Sequence, residues 1–164
     1  MFSFVDIDYE NIANQITKRT AEKLEKEIGL VCIGTGGGMM GDIYHKAMSF
    51  HYYQEVDLKK ARELLVYASQ CYLSAINTDK KVRPYLHVYP FPIQNIEIDI
   101  WSKEPDGKNV PFDKIACFGV LNGVVKYLLD RPNKTYITFY KETYEEAVRI
   151  VEGERAYKNK EEIR

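Results

Sequence analysis

Ile115-Ala116-Cys117-Phe118-Gly119-Val120-Leu121-Asn122-Gly123-Val124-Val125-Lys126-Tyr127-Leu128-Leu129-Asp130 is the stretch that decides the fold class. Asn122-Gly123 stands between two apolar and aromatic runs. Both residues tolerate positive φ, which a two-residue type I′ turn demands at its two central positions. The segment therefore predicts a β-hairpin. Counting outward from the turn sets Phe118 opposite Tyr127. It also puts Ala116, Phe118, Val120, Val125, Tyr127 and Leu129 on one face, the core face.

The same pattern extends in both directions. Upstream, Ile96, Ile98 and Ile100 alternate with Glu97, Asp99 and Trp101, as a strand with one buried face does. Lys103–Phe112, with Pro105, Asp106, Gly107 and Pro111, reads as a loop. Downstream, Pro132-Asn133 makes a turn and Thr135–Lys141 a further strand. Residues 95–141 thus form an antiparallel meander. Thr143-Tyr144-Glu145-Glu146 is a capping box that opens a short helix, and Gly153 is expected to close it. The domain then covers 1–153, and the charged segment 154–164 is a tail expected to fray.

Helices precede the meander. Ile12, Ile16, Leu24 and Ile28 mark one stripe of a helix over 10–28, which Gly29 ends. Asp57 caps a second helix, 57–77, carried by Leu58, Ala61, Leu64, Leu65, Ala68, Tyr72 and Ile76. Leu30–Ile33 reads as a short buried strand and 43–53 as another. The fold class is α+β: an antiparallel sheet of four or more strands with helices 10–28 and 57–77 on one face. A cupped sheet of the cystatin or nuclear-transport-factor kind is the analogy.

Composition narrows the function classes. The chain has 164 residues, a net charge of −1 and 45% apolar residues, which suits one globular domain. Nucleic-acid binders are usually basic, so no nucleic-acid partner is expected. No apolar run is long enough to cross a membrane as a helix. The start, Met1-Phe2-Ser3-Phe4-Val5-Asp6, is not a signal peptide as written. The chain reads as cytoplasmic as written, or exported where a leader has been removed. Cys32, Cys71 and Cys117 lie far apart in apolar surroundings and read as buried thiols. They do not cluster with His45, His51 or His87, so no metal site is expected.

Two segments are candidate binding sites. Gly34-Thr35-Gly36-Gly37-Gly38-Met39-Met40-Gly41 follows the apolar Leu30–Ile33 and contains a G-x-G-x-x-G match. Such glycines let a backbone approach a pyrophosphate at a helix N-terminus. The run also resembles the first glycine motif of S-adenosylmethionine-dependent methyltransferases. Against both, 42–53 makes a poor helix and no second βαβ unit follows. The plain alternative is a flexible turn between two strands, with Met39 and Met40 over apolar surface. The second candidate is Tyr85, His87, Tyr89 and Phe91 among the prolines of 83–92, an extended aromatic segment able to face a partner. Its alternative is ordinary packing over a sheet edge. Glu97 and Asp99 point away from the isoleucines, toward water, and are not assigned to acid–base work. No catalytic residue and no cofactor are assigned.

The order Gly36-Gly37-Gly38-Met39-Met40, Ala61-Arg62-Glu63-Leu64-Leu65, Tyr72-Leu73-Ser74-Ala75-Ile76-Asn77, Arg83-Pro84-Tyr85-Leu86, Pro90-Phe91-Pro92 and Asn95–Ile100 resembles a family of uncharacterised small proteins of intracellular bacteria. Some of these look like exported lipoproteins. The resemblance spans about residues 20–152. This chain departs from the exported members in having neither leader nor lipobox cysteine. The family has no assigned activity, so the resemblance implies no site residue.

The expectation is a non-enzymatic binding or interaction protein whose partner is a protein or small ligand. Its contact residues are Gly36, Gly37, Gly38, Met39, Met40, Tyr85, His87, Tyr89 and Phe91. The alternative is an enzyme that holds a nucleotide or S-adenosylmethionine on Gly34–Gly41. A small dimer of the secretion-chaperone kind is a third reading, and a homodimer fits the first as well.

Overall fold

The computed structural model describes residues 8–133 and 135–163. Its elements are α1 (Tyr9–Ile28), β1 (Val31–Met39), β2 (Ile43–Tyr52), α2 (Leu58–Thr78), β3 (Ile96–Ser102), β4 (Ile115–Leu121), β5 (Val124–Leu129), β6 (Ile137–Thr143) and α3 (Tyr144–Glu162). The strands form one sheet in sequential order. The fold is α+β and the sheet mostly antiparallel; β2 and β3 alone run parallel. A parallel neighbour needs a long crossover, and α2 supplies it.

Local chemistry sets the boundaries. Asp8 caps α1 by accepting from Asn11 N, and Gly29, at φ 73, ends it in the left-handed conformation. Asp57 caps α2 through Lys60 N at 2.8 Å, and Thr143 caps α3 through Glu146 N at 3.1 Å. The turn between β4 and β5 has Asn122 at φ 52 and Gly123 at φ 76, with Phe118 opposite Tyr127. The type I′ hairpin is therefore as the sequence reads.

Three readings of this region change. Ala116 is the extra residue of a bulge, and Ile115 takes the core position opposite Leu129. Leu129 itself is half-buried at the margin. Gly153 does not close α3, because it has no positive φ; the helix runs through it, and most of the supposed tail continues it to Glu162. The pairs Glu154–Lys158 and Lys158–Glu162 fall at i,i+4 spacing and favour that continuation.

All three helices lie on one face: α1 over β1, α2 over β3 and β4, α3 over β5 and β6. Ile96, Ile98, Ile100, Phe118 and Val120 are buried there with Ile16, Leu24, Leu65 and Ala68. No described helix packs on the opposite face. Among the described residues no helix is long and apolar enough to cross a membrane.

Candidate partner-binding edge

The glycine run is neither a loop nor a turn. It is the body of β1, paired along its length with β2 from Val31 opposite His51 to Met39 opposite Ile43. Glycine has little strand preference of its own. β2 provides the template: Met48, Phe50 and Tyr52 anchor it in the core. The turn falls later, at Met40-Gly41-Asp42, where Gly41 has φ 84. β2 rather than a helix follows, so no helix N-terminus faces the glycines.

Close approach is what two of these glycines provide. A Cβ on Gly37 would lie 2.7 Å from His45 O and 3.3 Å from the Lys46 side chain. A Cβ on Gly38 would run into the Tyr44 ring, which covers that position. By contrast, nothing lies within 4 Å of the corresponding point on Gly34. β1 is an outer strand, and Ile33–Gly37 are all exposed. No charged residue occurs from Leu30 to Gly41.

The structure joins the end of this strand to part of the aromatic segment. Tyr9 donates its hydroxyl to Met39 O at 3.5 Å and stacks on Tyr85 at 5.0 Å between ring centroids. His87 N donates to Ile43 O at 2.9 Å, and His87 Nδ1 lies 2.6 Å from Asp42 Oδ2. Tyr89 is half exposed, with Arg83 over its ring at 4.5 Å. Met40 is 86% exposed. Phe91 leaves the candidate set: it is buried in the core, and the Asn77 side chain bonds both its N and its O. Tyr9, Asp42 and Tyr44, which organise this corner, carry no motif that marks them; the pairing of β1 with β2 brings in Asp42 and Tyr44, and the packing of α1 on β1 brings in Tyr9.

The titratable groups near the edge divide by face. On the helix side Lys46 is buried, its Nζ 3.5 Å from Asn14 Oδ1, and burial pushes its pKa down. On the opposite side His45 Nε2 lies 3.3 Å from Glu97 Oε2. Asp99 sits beside them, half-buried rather than fully in water, and burial, helped by Glu97, pushes its pKa up to about 6. Cys32 and Cys71 are half-buried and Cys117 is buried, all as free thiols. Burial pushes the Cys117 thiol up to about 12, with Asp99 adding to it, which opposes thiolate chemistry. Among the described residues no group of three or more His, Cys, Asp or Glu is arranged to hold a metal.

No protein-family model matches the chain, and no curated protein or solved structure shows significant similarity to it.

Proposed function

We propose that this protein is a non-enzymatic binding module that takes up an extended segment of a partner polypeptide as an added strand on β1. The observation that carries the reading is the outer edge of β1, which no described element covers. Sheet proteins usually guard such an edge with lysine, proline or a covering element, because its free N–H and C=O groups template further pairing. Here the nine-residue edge carries no charge and no proline, and five consecutive residues are exposed. Strand addition draws its affinity from main-chain hydrogen bonds and its selectivity from alternate side chains.

Gly34 and Gly36 give that selectivity a form. Both stand on the face opposite the helices, in register with Ser49 and Ala47. Tyr44 covers Gly38, whereas Gly34 is open and Gly36 has only the Ala47 Cβ near it, at 3.9 Å. An incoming strand with large apolar or aromatic residues at alternate positions fills those gaps, as aromatic neighbours do for edge glycines elsewhere. Met40, Tyr85 and Tyr89 extend the apolar surface at the end of the strand.

The test is a panel of extended peptides with aromatic residues at alternate positions, with glycine-substituted controls, followed by backbone amide shifts. The expected result is shifts at Ile33–Gly38 with the aromatic peptides only, lost in Thr35→Pro. Binding that leaves these amides unmoved, or no binding by any peptide, refutes the reading.

A further inference from the structure

The face of the sheet opposite the helices carries a charge pattern with a symmetry of its own. One register row crosses the whole sheet: Gly34, Ser49, Asp99, Gly119, Lys126 and Lys141 stand in line on β1 to β6. Asp99 and Lys126 flank Gly119, one strand away on either side. The Asp99 carboxylate leans over Gly119, where a Cβ would lie 2.7 Å from its Oδ1. Among the described residues neither Asp99, Lys126 nor Lys141 has an opposite charge within ion-pair distance. Lys126 and Lys141 are exposed. The face is thus acidic on β3 and basic on β5 and β6, with Gly119 between them contributing no side chain of its own.

We infer that a second copy of this chain packs on this face, with Asp99 of each copy against Lys126 of the other. Consider a two-fold axis running along β4 between two such faces. It lays β3 of one copy over β5 of the other. Because Asp99 and Lys126 share a register row, the operation sets each over its opposite charge. Gly119 lies on the axis, with the Asp99 carboxylate of its own copy beside it. In the neighbouring row Trp101, Cys117 and Leu128 stand in line, so the same operation lays Trp101 over Leu128 of the second copy. On the other side Leu121, 49% exposed, meets its own image. The flanking rows are mixed: Glu97, in the row of Leu121, comes over Val124, and Trp101, which packs edge-on against Tyr136 of its own chain at 5.5 Å, comes over Leu128.

The size is adequate. Strands about 4.8 Å apart and about seven residues long give a face of roughly 24 by 23 Å. Two such faces bury about 1,100 Å², near the lower end for specific association. Aligned sheet packing, offset by about 30° from twist, keeps the pairs nearest the axis in contact. The half-buried Asp99, raised in pKa and without a cation partner among the described residues, gains one in the dimer. The inference does not use the edge of β1.

Sedimentation equilibrium tests it on the full chain. A reversible dimer is expected, weakened by added salt. Lys126→Glu, an exposed substitution, sets like charges together and raises the dissociation constant about tenfold or more. Asp99→Lys combined with Lys126→Glu restores association. Should the double variant fail to fold by circular dichroism, Leu121→Asp stands in: it places a charge against its own image and gives monomer. A chain that is monomeric at every concentration, or a dimer that survives both Lys126→Glu and Leu121→Asp, overturns the inference.

Discussion

Arg62 of α2 holds Glu142 of β6 through two buried hydrogen bonds, Nε to Oε1 at 2.7 Å and Nη2 to Oε2 at 3.0 Å. Tyr127 on β5 donates to the same Oε1 at 2.8 Å. Both charged side chains are almost fully enclosed. A lone buried charge is costly, so each member is tolerable only with the other. Removing one partner by Glu142→Ala is expected to cost about 3–5 kcal/mol in denaturant melts. The double change Arg62→Met, Glu142→Leu removes both charges and should cost clearly less than Glu142→Ala alone. Equal losses in the two variants would show that the enclosed charge is not the cause.

Ile98 lies at the centre of the covered face of β3 and is fully buried. Ile98→Ala should lower stability by about 2–5 kcal/mol, the range for truncating a core aliphatic residue. Leu129→Ala, at the half-buried margin, should cost less. A loss under about 0.5 kcal/mol for Ile98→Ala, the range of ordinary surface changes, would place the core elsewhere.

The hairpin at Asn122-Gly123 was legible because its signal is local: two residues fix the turn, and the alternation fixes the faces. The glycine run was not, because its strand character comes from β2, whose anchoring residues lie beyond the turn. Phe91 looked available for a partner among prolines, yet Asn77, fourteen positions earlier, clamps its backbone into the core. Gly153 read as a stop from its identity alone, whereas the charged residues beyond it sustain the helix. Of the candidate site, the segments were legible and their meeting was not. Met39 and Tyr85 come together through Tyr9, a residue with no motif around it.

Gly34 and Gly37 should respond in opposite directions to the same change. Gly37→Val drives a side chain against the His45 carbonyl and Lys46. Overpacking of that kind costs about 1–3 kcal/mol. Gly34→Val enters open space and gains strand preference, so stability should hold or rise. Thermal melts of the two variants separate these outcomes. Equal destabilisation would mean that the backbone of β1, not its neighbours, demands glycine.

Asp99 should give the fold an unusual pH response. Its carboxyl is raised from 3.8 to about 6, chiefly by burial and then by Glu97. A group with a higher pKa folded than unfolded binds more protons in the native state between those values. Stability then falls as pH rises through that window, opposite to the trend of paired carboxylates. Below about 4 the group is protonated in both states and has no effect; above about 6 its charged form opposes folding. The group is only partly enclosed, so solvent screening reduces the effect to about 1 kcal/mol. Asp99→Asn should therefore stabilise the chain at pH 7, leave it unchanged at pH 4, and flatten the slope between. Dilute protein is needed, so that association through the same face does not mask the titration. Urea melts at pH 4, 5, 6 and 7 would measure it, and a wild-type slope no different from that of Asp99→Asn would exclude Asp99 as the cause.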